Sequence, residues 1–344
     1  MAQHDLFDFD ERLKRVSDLG DPLEVMNDII DFEVFRPVLD RALKRSDRRK
    51  GGRPPFDPVM MFKILILQAL DDLSDERAEF LITDRLSYGR FLGLIGKAPD
   101  RNTIWTFREH LKKAGVMDDL FAAFGRQIMA SGYQAAHGQV VDASLISAPK
   151  QRLTQSEKAR IKAGKSASDI WDNPNKASQK DTSARWTIKY SKKKEHAPKG
   201  CVDIAIPHYG YKSHIMIDKS RRFIRSFKVT DASCHDGAQL EDLVRTDIPA
   251  KEVWADTAYK SNRNEAWLSR HGLVSHIHCK KPRGQPMPTH VKRANSARSR
   301  IRAIVEHPFA DQKHRMGLKV RTIGLARATI KIGMANMAYN LQRL

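Results

Sequence analysis

The sequence predicts an α/β protein: a mixed sheet with helices packed on it, an all-helical N-terminal domain, and a long basic insertion after the first core strand. Three observations carry this. Residues 22–131 show helical patterning with no strand pattern between, the pattern switches to strand-like at Gly138, and strands and helices then alternate toward the C-terminus. The expected domains are 1–135, helical, and 136–344, the sheet domain, with the insertion at about 147–205.

The helical block is marked by two Asp-Pro starts. Asp21-Pro22 and Asp57-Pro58 each place a capping Asp before a Pro at the first helical position. Met26, Ile29, Ile30 and Val34 follow the first; Met60, Met61, Ile64, Leu65, Leu67 and Leu70 follow the second. Two more amphipathic helices are expected at Ile104–Lys113, starting near Asp100, and at Val116–Met129. The block reads equally as a DNA-reading domain with a helix-turn-helix arrangement or as a packing or dimerisation bundle.

Gln139–Ile146 reads as the first strand. Residues 149–200 then lose hydrophobic periodicity, with Trp171, Trp186 and Tyr190 scattered among charges, and predict a long loop. Basic residues interleaved with aromatics suit nucleic-acid contact, and a solvated linker is the alternative. Tyr209–Ile217 and Arg222–Val229 predict a hairpin turning at Asp218–Ser220. A helix from Asp236, a strand at Glu252–Thr257, a helix at Asn262–His271, a strand at Val274–His278 and a long C-terminal helical region complete the order.

The chain has 344 residues and a formal net charge of +20. Residues 1–40 hold eleven Asp/Glu against four Lys/Arg, residues 150–200 hold fourteen Lys/Arg against five acids, and residues 280–321 hold twelve against Glu306 and Asp311. Positive charge concentrated in this way suits a phosphate backbone. Cys201, Cys234 and Cys279 lack zinc spacing and read as reduced structural thiols. The N-terminal residues lack a signal-peptide core, and the apolar runs are too short to span a membrane, so a cytoplasmic protein is expected. No Gly-rich phosphate loop of Walker type is present, which argues against a nucleotide-driven ATPase.

Asp is costly on a half-buried strand, yet Asp142 and Asp256 both stand in apolar strand-like segments. Each alone reads equally well as a solvated strand-end residue. Glu306 lies at the edge of the helical stripe Ile301, Ile304, Val305 and Phe309, with Arg302 four residues before it and Lys313 seven after. The alternative there is an ordinary surface ion pair. Pro308 predicts a kink or break beside Glu306. Three converging carboxylates would suit phosphodiester cleavage, in which two hard divalent cations about 3.5–4 Å apart activate water and stabilise the leaving oxygen. Magnesium prefers such oxygen ligands.

Several motifs together resemble the DDE transposases of bacterial insertion sequences, in the group uniting insertion-sequence families four and five. Pro58–Leu111, including NTIWTFREHL, is similar to that group's N-terminal helical domain. Val141-Asp142-Ala143-Ser144 resembles its first-Asp motif, Tyr209–His214 (YGYKSH) the strand after it, Thr230–Leu240 (TDASCHDGAQL) the segment before its second Asp, and Ala255–Tyr259 (ADTAY) the second-Asp motif. Arg302, Glu306 and Lys313 fit the group's Tyr-x2-Arg-x3-Glu-x6-Lys spacing, with Ser299 in place of Tyr, and Val305–Phe309 (VEHPF) is similar to family five in particular.

The resemblance implies an RNase H-like core in which Asp142, Asp256 and Glu306 hold two Mg2+ ions, with Mn2+ as a substitute. It implies hydrolysis at transposon ends and strand transfer by the freed 3′-hydroxyl. Arg302, Lys313, Lys260, Tyr259, Lys212 and Arg300 are the DNA-contact candidates; His235 and Asp236 are secondary ones, Asp236 reading equally as a helix start. The implied partners are double-stranded DNA, as terminal inverted repeats and target, and a second copy of the chain, with no membrane. A catalytically inactive DNA-binding regulator and an RNase H-like nuclease or resolvase are the alternatives.

Overall fold

A computed structural model describes residues 8–43, 54–94, 96–191 and 203–344. The chain divides into two compact units. One comprises the residues up to Gln134 with His314–Gly317 and Gly333–Leu344; the other comprises Ala135–Lys313 and Leu318–Ile332.

The first unit holds α1 (Asp8–Asp18), α2 (Pro22–Ile29), α3 (Arg36–Leu43), α4 (Pro58–Leu70), α5 (Asp75–Asp84), α6 (Leu86–Leu92), α7 (Arg101–Ala114) and α8 (Met117–Ala130). Their starts follow the local chemistry. Asp21 accepts the Leu23 amide at 3.0 Å, Asp57 the Val59 and Met60 amides at 2.9 and 3.0 Å, and Asp100 the Thr103 amide at 2.7 Å. Helix α4 is apolar on nearly every face and forms the centre of the unit, with Phe62, Ile64 and Ile66 fully buried. Its one cation, Lys63, is satisfied by the Asn27 side chain at 2.9 Å and the Phe91 carbonyl at 3.1 Å, and burial lowers its pKa.

The second unit is built on a six-stranded mixed sheet: β1 (Gln139–Ser147), β2 (Arg185–Ser191), β3 (Ile204–Asp218), β4 (Ile224–Asp231), β5 (Glu252–Trp254) and β6 (Val274–Ser275). The order is β2-β3-β1-β5-β6, with β4 also paired to β3. Strand β1 is central, antiparallel to β3 and parallel to β5, and β6 is parallel to β5. Val141, Met216, Leu240, Val253, Leu268 and Ile277 belong to one core cluster of this unit. At the β3–β4 turn, the buried Asp218 carboxylate accepts the Arg221 and Phe223 amides at 2.6 and 3.1 Å and the Arg225 guanidinium at 2.9 Å. These bonds hold the turn through Phe223, so β4 starts at Ile224, two residues later than expected.

Three expectations need correction. The described part of the insertion is not a structureless loop. It forms short helices α9 (Gln155–Lys162), α10 (Ala167–Ile170) and α11 (Pro174–Ser178), then β2. Capping boxes at Thr154/Glu157 and Ser166/Asp169 start the first two, and Ile161, Ile170 and Trp171 form a small core. Helices of four to eight residues are too short to show a periodicity. Residues 192–202 of the insertion, with Cys201, lie outside the described residues. Trp171 is buried and donates to Glu157 at 2.6 Å, so it packs rather than presenting a ring for contact; Trp186 and Tyr190 are exposed.

The second correction concerns β5, which ends at Trp254, so Asp256 lies beyond the strand. The third concerns β6, which is only two residues long. Its ladder nevertheless continues on one side, as the amides of His276 and His278 donate to the carbonyls of Val253 and Ala255 at 2.8 and 3.1 Å.

The remaining helices are α12 (Leu240–Leu243), α13 (Asn262–Arg270), α14 (Thr289–Arg302), α15 (Glu306–Ala310) and α16 (Leu325–Arg343). A 3-10 turn at Ala303–Val305 separates α14 from α15, immediately before Glu306. Pro308, which cannot donate to Ile304, accounts for the irregularity. A π turn at Asp311–Arg315 follows α15. Among the described residues no helix is long and apolar enough to cross a membrane, and both described cysteines, Cys234 and Cys279, are free.

Candidate active site

Asp142 is the fourth residue of β1, the strand flanked by β3 and β5. Central placement buries it: its side chain is 17% exposed. One carboxylate oxygen accepts the Ala143 amide at 2.8 Å. The other accepts Nη1 of Arg302 at 2.8 Å, and Nη2 of the same guanidinium donates to Glu306 Oε1 at 3.1 Å. Helix α14 packs against β1 and β5, which brings Arg302, its last residue, over the sheet. The 3-10 turn then sets Glu306 beside it, with its side chain 63% exposed. One planar guanidinium thus joins two acids 164 positions apart in the chain.

Asp256 closes the turn after β5. Its carboxylate caps the short 3-10 helix Thr257–Tyr259 by accepting the Ala258 amide at 2.8 Å. No strand pairing holds it, so the cap and the backbone fix its direction. Its charge reaches Asp142. Asp142 is pushed up to about 6, by burial first and by Asp256 and Asp236 after it, against the lowering effect of the Ala143 amide and Arg302. Desolvation therefore dominates at Asp142, with Arg302 and the two acids acting in opposite directions.

Among the described residues no three His, Cys, Asp or Glu side chains are gathered as a metal-binding group. Arg302 is the cation that Asp142 and Glu306 share here. The donor set still suits a divalent ion: the oxygens are hard and Asp142 is desolvated.

The other candidates separate into two sets. Tyr259 is 1% exposed, and its hydroxyl has no hydrogen-bond partner; burial and the charges of Asp142, Asp236 and Asp256 raise its pKa. It packs in the core of the unit rather than at the surface. Lys212 donates to Asp236 at 2.8 Å and to the Cys234 carbonyl at 2.6 Å, and Lys260 pairs with Glu265 at 3.0 Å. His235 accepts the Gly237 amide through Nδ1 at 3.1 Å. Arg300 and Lys313 are exposed. Lys313 falls in the π turn; the chain around it and the like charge of Lys189 lower its pKa.

Sequence reasoning missed two neighbours. His278 lies near Arg302 and Asp256, and burial, then Arg302, lowers its pKa. Asn264 bonds to the carbonyls of both Gly237 and Tyr259. Spacing could not signal either, because both act across separate turns.

Residues 10–110 match the family described as transposase domain (DUF772). Residues 134–341, which contain Asp142, Asp256 and Glu306, match the family described as transposase DDE domain. The chain belongs to the DDE transposases. The pair of matches indicates the kind found in insertion-sequence families four and five. No solved structure matches this transposase. The family acts on DNA and is generally divalent-metal dependent.

Proposed function

We propose that this transposase serves a bacterial insertion sequence most like family five, cutting at the transposon's terminal inverted repeats and joining the freed 3′-hydroxyl to target DNA. Asp142, Asp256 and Glu306 are its metal-binding carboxylates. The observation that carries this is the guanidinium of Arg302, which bonds Asp142 and Glu306 together, while Asp256 acts on the charge of Asp142.

The strand arrangement supports an RNase H-like core. The run β4-β3-β1 is antiparallel, β5 and β6 are parallel to β1, and the acids lie on central β1 and just past β5. A bound pair of Mg2+ ions, or Mn2+ in their place, would supply an activated water or hydroxyl and a stabilised leaving oxygen. Asp142 and Asp256, fixed by backbone amides, orient their oxygens before any ligand arrives. Glu306, paired with Arg302 but more exposed, stands on the solvent side of the site. Arg302 holds two acids in place and carries donors suited to a phosphate. Exposed Arg300 and Lys313 suit backbone contacts that position the duplex without reading it. Lys212 holds the turn of Asp236, Tyr259 packs in the core, and half-buried Lys260 is engaged by Glu265.

The N-terminal helical domain is assigned to end binding, dimerisation or both, and the insertion to DNA contact. Synapsis of two ends calls for a homodimer on DNA, and the enzyme would work in the cytoplasm, on the nucleoid.

Incubation with Mg2+ and duplexes carrying the element's terminal repeats tests this reading. Cleavage at the repeat boundary followed by strand transfer is expected, and chelation should stop both. End binding without either reaction would favour the inactive regulator; cleavage of branched DNA regardless of the repeats would favour a nuclease or resolvase.

A further inference from the structure

We propose that the outward face of α14, with the loop before it, is a track for the phosphate backbone of duplex DNA beside the cut. Lys292 and Arg293 are its central cations. The inference deepens the function proposed above and rests on it for where the cut lies.

Helix α14 is pinned along one side. Asn295 accepts the Cys279 amide through Oδ1 and donates to the Cys279 carbonyl through Nδ2, both at 3.0 Å. Arg298 donates to the Ile277 carbonyl at 3.1 Å, and Arg302 donates to Asp142 at 2.8 Å. Residues 295, 298 and 302 follow helical spacing, so this face looks inward. At about 3.6 residues per turn, Arg293 and Arg300 fall on the opposite face with Ser296 and Ala297 between them. All four are exposed, as are Lys292 on the flank and Lys280, Lys281 and Arg283 in the loop that leads into the helix.

This charge is left uncompensated. No Asp or Glu occurs between Glu265 and Glu306. Among the described residues, Lys280, Lys281, Arg283, Lys292, Arg293 and Arg300 make no ion pair, whereas Arg263, exposed in the same unit, pairs with Glu241 at 2.8 Å. Lys292 and Arg293 also stand near the start of α14, where the helix dipole disfavours a cation, and no acid in the first turn offsets them. Solubility would be served by cations placed anywhere; this face instead leads to the acids, because α14 ends at Arg302, which bonds both Asp142 and Glu306. Arg293 lies nine residues before Arg302. That is about 13 Å along the axis, the length of about four base pairs.

The test is binding of the full chain to labelled duplexes, read by fluorescence anisotropy across a salt series. The double variant Lys292→Gln/Arg293→Gln should lower the slope of log affinity against log salt by about 2, on any sequence, since each phosphate contact contributes about 0.9. Its melting temperature should not change. Arg263→Gln should keep the wild-type slope. Ser296→Lys, which adds a cation to the same face, should raise the slope by about 1. A wild-type slope in the double variant and in Ser296→Lys would overturn the track; so would an equal loss in Arg263→Gln, since the attraction would then belong to net charge alone. Placement is read by replacing single phosphates of a terminal-repeat duplex with methylphosphonates. Replacement about four base pairs from the cut should weaken wild type and leave the double variant unaffected; equal weakening of both would overturn the placement. Absence of Mg2+-dependent cleavage, with these slopes as expected, would instead sink the proposed function and leave the track standing.

Discussion

Arg302 is where the chemistry of the site is concentrated at the scale of single residues. Spacing placed it on one helix face with Glu306, and the family resemblance implied a DNA contact, but neither can show that its second nitrogen reaches Asp142. Arg302→Gln removes both bonds and leaves Asp142 desolvated without its cation. Cleavage should fall by about 10²–10³, in the range for removing one transition-state donor, while end binding changes little. Single-turnover cleavage beside a binding titration checks this.

A second residue controls stability rather than chemistry. His214 is fully buried, with Nε2 on the Thr230 hydroxyl at 2.8 Å and Nδ1 unpaired. Burial, opposed by Asp236 and reinforced by Lys212 and Lys228, pushes it down to about 4. A histidine depressed on folding contributes stability present above its unfolded pKa of about 6.5 and lost as pH falls through the folded value. Between pH 6.5 and 4 the protein should lose about 3 kcal/mol through this group, at about 1.4 kcal/mol per unit. Urea unfolding of wild type and His214→Gln across that range should show a flatter profile for the variant.

Among the elements, the sequence was most legible where chemistry is local. Asp-Pro starts marked α2 and α4, a strand-like run marked β1, and alternation followed by a turn marked the β3–β4 hairpin. It was least legible where stability comes from contacts between short pieces. Asp256 looked like a strand residue because Glu252–Thr257 is apolar around it, yet β5 stops where Asp256 captures the Ala258 amide. The insertion looked structureless because its helices are brief and their core is three residues. That core makes a prediction. Trp171→Ala should destabilise the insertion locally by about 3–5 kcal/mol, the usual cost of emptying a large aromatic site. Limited proteolysis should then cut within 153–184 while helices α4 and α7 stay protected; unchanged protection of the insertion would show that its caps alone hold it. Gly210 is a second such point: at φ +150° a Cβ would lie 2.2 Å from the Ile146 carbonyl oxygen. Gly210→Ala should therefore disrupt β3 where its pairing passes from β2 to β1, read as a lower melting temperature.

For the whole molecule, net charge of +20 and its concentration toward the C-terminal two thirds were readable from the sequence, and they match a transposase that must hold DNA. What the sequence could not show is how Arg302 joins two of the acids, because Asp142, Asp256 and Glu306 come from a strand, a turn and a helix far apart in the chain. End binding should weaken steeply with salt, and Lys313→Ala should lower the slope of log affinity against log salt by about 1, without altering sequence preference. The most direct measurement is Mg2+-dependent cleavage of a terminal-repeat duplex by Asp142→Asn, Asp256→Asn and Glu306→Gln. Each should bind the duplex like wild type and fail to cut it; wild-type cleavage by any one would remove that residue from the site.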